Sequence, residues 1–163
     1  MRILVLGVGN PIFGDDGLGL QIVRDIKERI SVEKLSVEVD VEETHSDWLT
    51  IAEKIIGYDK VILIDTLIVE DKNLIGKIFK IDLKMPSEED DQPYITHDLS
   101  FSSALKIIKS LSPEEIPEKI IMFLVGIREP KRFSEKLSPE VKGIAPKLLK
   151  YILDEFSNSS IKN

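Results

Sequence analysis

The sequence predicts an α/β fold, a three-layer sandwich in which a mostly parallel, twisted five-stranded sheet carries one antiparallel edge strand and helices on both faces. Three observations lead there. Runs rich in branched residues recur at 3–8, 35–41, 60–64, 77–81 and 119–125, with helical periodicity between most of them. The first run breaks into a glycine-rich loop ahead of a helix. The connection from Ile64 through Gly76 to Ile81 leaves little room for a crossover helix, so the fourth strand is expected to pair antiparallel at an edge. A chain of 163 residues holds one full core and is short for two. The expected division is a single domain over 1–156 and a flexible tail over 157–163.

Taken in order, the first helix carries Ile22, Val23, Ile26 and Ile30 on one face, and Leu49, Ala52 and Ile56 mark a second, ended by Gly57. A third is expected to start near Thr96 as cap, with Asp98 in its first turn and Phe101, Leu105, Ile108 and Leu111 facing the core. Ser112-Pro113 stops it. Ser138 followed by Pro139 opens the last helix, whose inward residues are Val141, Ile144, Leu148 and Ile152; Pro146 is expected to kink it. The stretch 85–93, Met-Pro-Ser-Glu-Glu-Asp-Asp-Gln-Pro, reads as a solvated acidic loop. Trp48, Phe101 and Phe123 fall at core spacing and read as packing.

Composition narrows the function. A net charge of -7 and a sequence pI near 5.0, with basic residues scattered among acids, offer no stripe for a phosphate backbone, so no nucleic acid partner is expected. No apolar run approaches the roughly 18 to 20 residues that a bilayer span needs, and the strand-like start has no charged leader. A cytoplasmic location without membrane insertion is the expectation. The absence of cysteine excludes disulfides, thiolate metal sites and a cysteine nucleophile. A charged fraction of 31% leans toward the composition of thermophile proteins.

The chemistry-bearing residues gather around the first loop, Gly7-Val8-Gly9-Asn10-Pro11-Ile12-Phe13-Gly14-Asp15-Asp16-Gly17-Leu18-Gly19. Glycines of this density commonly bring backbone N–H groups to a phosphate, but two adjacent acids would repel one. That points to a cation or a proton-handling site. The dinucleotide reading fails for the same reason, and its third glycine position holds Ile12. Asp65 interrupts an otherwise apolar stretch, where an unpaired carboxylate costs several kcal/mol. It either meets a ligand at the carboxyl edge of the sheet or caps the following turn. His97 stands at the expected start of the third helix, as a site residue or a satisfied structural one. Two carboxylates and an imidazole suit a divalent transition ion such as nickel or zinc. Asp15 reads as a cap for the first helix, and His45 as helix-start surface or a second imidazole at the edge. Neither a Gly-x-Ser-x-Gly elbow nor a His-Glu-x-x-His helix is present.

Gly7-Val8-Gly9-Asn10 with Asp15-Asp16-Gly17-Leu18-Gly19 resembles the signature of the [NiFe]-hydrogenase maturation proteases, which trim the C-terminus of the hydrogenase large subunit. Leu63-Ile64-Asp65-Thr66 is similar to that family's third-strand acid, Thr96-His97-Asp98-Leu99 to its helix-start histidine, and Val125-Gly126-Ile127 with Leu137-Ser138-Pro139 to its last strand, loop and helix. The resemblance implies Asp16, Asp65 and His97 as metal ligands, with Asp16 and Asp65 catalytic. It implies a substrate loop of Gly9, Asn10, Asp15 and Gly17 with Thr44. It further implies nickel, supplied by the large-subunit precursor, as the recognition element, with zinc or cadmium standing in for it in crystals. Whether an acid acts in the aspartic-protease manner or the metal assists is left open by the resemblance. One departure concerns the turn after the second strand. Many members carry Asp-Gly-Gly-Thr there and this chain has Glu42-Glu43-Thr44, which adds charge at the rim.

Two other classes compete. A phosphoacceptor receiver domain also places acids after the first and third strands, but needs a lysine where Val125-Gly126-Ile127-Arg128 offers none. A non-catalytic nickel-binding maturation module would use the same three ligands without cutting.

Overall fold

The computed structural model describes residues 1–32, 36–84 and 100–159. Its elements run β1 (Arg2–Val8), a 3-10 turn (Gly14–Gly17), α1 (Leu18–Val32), β2 (Glu38–Thr44), α2 (Trp48–Lys54), β3 (Lys60–Ile68), β4 (Ile78–Leu83), α3 (Phe101–Leu111), β5 (Lys119–Ile127) and α4 (Pro139–Ser159). The sheet order is β2-β1-β3-β5-β4. β1 is parallel to both β2 and β3, and β3 is parallel to β5. β4 pairs antiparallel with β5 at the edge, as the short connection demands.

Side-chain alternation along the strands divides the core in two. Ile3, Val5, Ile62, Ile64, Ile121 and Phe123 face α1 and α4. Leu4, Leu6, Val61, Leu63, Ile120 and Met122 face α2 and α3. The three central strands are buried on both sides, which is why they read as continuous apolar runs rather than alternating ones. Trp48 and Phe101 pack with ring centroids 5.1 Å apart, and Phe123 is fully enclosed.

Several boundaries move. β2 begins at Glu38 and reaches Thr44, not 35–41. β3 continues through Asp65 to Ile68 because β5 runs beside it as far as Ile127, and ladder hydrogen bonds need no apolar side chain. α2 ends at Lys54, ahead of Gly57, whose φ of +79° turns the chain toward β3. Ser100 caps α3, accepting from Ser103 N at 3.2 Å, whereas Thr96 lies outside the described residues. Leu111, the last residue of α3, is exposed and Ala104 joins the buried face instead. Ser138 does cap α4, its hydroxyl accepting from Val141 N at 3.4 Å, and the helix continues through Pro146 to Ser159. No helix among the described residues is long and apolar enough to cross a membrane.

Candidate active site at the carboxyl edge of the sheet

From β1 the chain first adds β2 on one side and then β3 on the other. The carboxyl ends of β1 and β3 therefore border a topological switch point, where open α/β sheets bind ligands. The β1–β3 ladder stops at Gly7 and Ile64, so Asp65 is the first residue of β3 left without β1 beside it. β1 then gives way to the loop that carries Asp15 and Asp16.

Glycine makes that geometry possible by close approach. Gly9 has φ of +147°, and a Cβ there would lie 1.9 Å from the Asp16 carbonyl oxygen. At Gly19, in the first turn of α1, a Cβ would sit 2.5 Å from the Val8 carbonyl oxygen and 2.6 Å from that of Ile64. The helix thus rests directly on the ends of β1 and β3. These glycines serve packing, and the loop's backbone is turned to its own acid: Asn10 N donates to Asp16 Oδ2 at 2.9 Å. Asn10 Oδ1 accepts from Ile12 N at 3.2 Å and its carbonyl from Phe13 N at 3.2 Å. Gly17 packs against Pro11.

Thr66 brings the two acids together. Its hydroxyl donates to Asp16 Oδ1 at 2.8 Å and its backbone N–H donates to Asp65 Oδ1 at 2.7 Å. Burial drives the Asp65 carboxyl up to a pKa of about 6; the Thr66 hydrogen bond opposes that rise and the nearby Asp16 charge adds to it. Among the described residues neither acid forms an ion pair. Sequence reasoning missed Thr66, since a threonine in a strand is an ordinary β-former.

The remaining candidates scatter. Asp15 does not cap α1: its Oδ1 accepts from Ser138 N at 2.6 Å, tying the loop to the start of α4. Thr44 is buried, with its carbonyl accepting from Gly9 N at 3.2 Å and its hydroxyl from Ser46 N at 3.1 Å, so it braces the loop from below. His45 is exposed in the segment between β2 and α2. The rim acids are partnered. Glu43 takes a two-pronged contact from Arg24 at 2.8 and 3.0 Å, which holds its carboxyl below the usual range, and Glu42 meets Lys54 at 2.6 Å. His97 and the acidic stretch 85–93 lie outside the described residues.

Among the described residues no group of three His, Asp or Glu side chains is placed to hold a metal ion. Asp16 and Asp65 supply two oxygen donors. Each Asp16 oxygen already accepts one hydrogen bond and keeps a further lone pair. At the end of β5, where a phosphoacceptor arrangement needs a lysine, stands Arg128, paired with Glu140 at 3.1 Å.

No protein-family model matches this chain, and no curated protein sequence matches it. Solved structures do. A hydrogenase 2 maturation peptidase from a Thaumarchaeota archaeon is 27% identical with a TM-score of 0.64, over 95% of this chain and 97% of that one. An endopeptidase from Escherichia coli gives a TM-score of 0.74 at 22% identity, over 98% of this chain and 94% of that one. The hydrogenase maturating endopeptidase HybD from E. coli gives 0.67 at 24% identity, over the same shares. Over nearly its whole length the chain shares its fold with these endopeptidases.

Proposed function

We propose that this protein is an endopeptidase that removes a C-terminal peptide from the nickel-loaded large-subunit precursor of a [NiFe] hydrogenase. The observation that carries the reading is the pairing of Asp16 and Asp65 by Thr66 at the switch point of a fold shared with maturation endopeptidases. Asp16, Asp65 and His97 are the residues that would receive the precursor's nickel, two carboxylates and an imidazole, and so hold the scissile segment in place.

The two acids differ in a way that suits peptide hydrolysis. Asp16 is fixed by hydrogen bonds to both oxygens and acts as an anchor. Asp65, with its carboxyl raised to about 6 by burial before nickel is bound, is the acid suited to act as general base. In its ionised form it takes a proton from water as the water oxygen bonds to the scissile carbonyl carbon. The C–N bond then breaks and the proton passes to the leaving amine. Thr66 keeps both carboxylates in register through these steps.

The test is the intact mass of the nickel-loaded precursor from the same genome before and after incubation with the protein. Loss of one discrete C-terminal peptide is expected. An unchanged mass, with nickel verified in the precursor, refutes the peptidase reading and leaves a nickel-binding maturation module.

A further inference from the structure

The loops that flank Asp16 build a second feature that the peptide chemistry does not use. After β1, the segment around Phe13 lies parallel to Ser134 in the loop that follows β5. Gly14 N donates to the Ser134 carbonyl at 2.6 Å, and Ser134 N donates to the Ile12 carbonyl at 2.8 Å. The rings of Phe13 and Phe133 meet with centroids 5.5 Å apart. Asp15 adds its tie to Ser138. The loops that follow β1 and β5 are thus clasped together. Yet Phe133 remains 75% exposed and Ile12 43%. A hollow of about 370 Å³ lies against Ile12, Phe133, Ser134 and Glu135. A second, of about 340 Å³, is bordered by Phe13, Asp15, Arg128, Arg132 and Lys136.

Charge selects the occupant. The chain carries -7 overall, whereas 128–136, Arg-Glu-Pro-Lys-Arg-Phe-Ser-Glu-Lys, has four basic residues against two acids. Arg128 is committed to Glu140. Among the described residues Lys131, Arg132 and Lys136 form no ion pair and stand exposed. An exposed phenylalanine backed by a half-buried one, among unpaired arginine and lysine and on a hydrogen-bonded support, has the chemistry of a protein-interface anchor. It also adjoins the site, since Asp16 N donates to the Phe13 carbonyl at 3.3 Å.

We infer that the clasp of Ile12, Phe13 and Phe133, with Arg132 and Lys136, is a docking surface for the substrate protein. It takes a segment that presents an apolar side chain beside an acidic one, next to the bond to be cut. This rests on the endopeptidase reading. Phe133 supplies apolar contact, the two cations supply complementary charge, and the backbone ties keep the surface formed before binding.

The test is steady-state processing of the nickel-loaded precursor by the wild type, by Phe133→Ala and by the double variant Arg132→Glu/Lys136→Glu. All three changes are at exposed positions. Phe133→Ala is expected to raise KM about tenfold with kcat unchanged. The charge reversal is expected to raise KM at low salt and to abolish the salt dependence that the wild type shows. Wild-type KM in both variants overturns the proposal, as does a loss confined to kcat. If the wild type leaves the precursor uncut, the endopeptidase reading has failed, and calorimetric titration of the precursor into wild type and Phe133→Ala decides the docking surface separately. Equal affinities, or no binding by either, overturn it.

Discussion

At the start of β3, Lys60 is 6% exposed and its Nζ donates to Glu155 Oε2 at 2.8 Å and to the Glu155 carbonyl at 2.9 Å. Lys80 of β4 reaches the other carboxylate oxygen of Glu155 from the sheet edge. Toward the far end of the same strand, Asp65 meets the Thr66 backbone N–H and a second acid, Asp16. Burial pushes both carboxyl groups up. At Glu155 the hydrogen bonds and charges of Lys60 and Lys80 outweigh burial and leave the group below its ordinary value. At Asp65 burial prevails and the group rises to about 6. A buried charge whose counter-charge is built into the fold is structural. A half-buried acid whose neighbours are another acid and a single N–H is poised for a cation or a proton brought from outside.

The sharpest way to break this contrast is to remove the acid without removing its shape. Asp65→Asn is expected to cut precursor processing by about 10² to 10⁴-fold, the range for losing a general base, measured from single-turnover cleavage. Retention of wild-type cleavage would place the chemistry elsewhere. At the other end of the strand, Glu155→Ala leaves Lys60 buried with its carboxylate partner gone, at an expected cost of about 3 to 5 kcal/mol in denaturant unfolding. A loss under about 1 kcal/mol would mean that water or another group solvates Lys60 readily.

Stability against pH separates the two ends further. The folded pKa of Asp65 lies above its unfolded value of 3.8, so the folded state binds more protons between about 4 and 6. Its contribution therefore falls as pH rises through that window. By pH 7 the penalty is about 3 kcal/mol at most, and Asp65→Asn should recover it. Glu155 has the opposite sign: its contribution is present above its unfolded value of 4.5 and is lost as pH falls through the depressed folded value. Unfolding midpoints of the two variants across pH 3 to 8 read both slopes, and a shared sign would contradict the comparison. Thr66→Val, which removes the hydroxyl from Asp16 Oδ1, should slow processing about tenfold, with Thr66→Ser restoring it. The smallest effect belongs to the rim: Arg24→Ala breaks a largely exposed pair with Glu43 and should change stability by less than about 1 kcal/mol.

The positions of the two acids were legible in the sequence because Asp65 interrupts one apolar run and Asp16 sits in the glycine-rich loop after another, and strand ends collect at one edge. Their support was not. Thr66 and Asp16 are separated by 50 residues, Asp15 and Ser138 by 123, and Lys60 and Glu155 by 95. Local patterning assigned Asp15 to the nearest helix start, but a backbone donor from the far end of the chain took it. The same preference for local signals ended β3 at Ile64, since a charged residue reads as a break; the neighbouring β5 ladder carries the strand on through Asp65. The alternating order of strands and helices, the antiparallel edge and the cap of α4 all rest on nearest-neighbour patterns, and those held.

The most direct test of this contrast is made on Asp65→Asn alone, folded at pH 7 and mixed with the nickel-loaded precursor, with the precursor's intact mass followed beside a wild-type reaction. The mass is predicted to stay unchanged with the variant while the wild type releases one C-terminal peptide. Release of the same peptide at the wild-type rate by the folded variant would contradict the assignment of Asp65 as the acid that works.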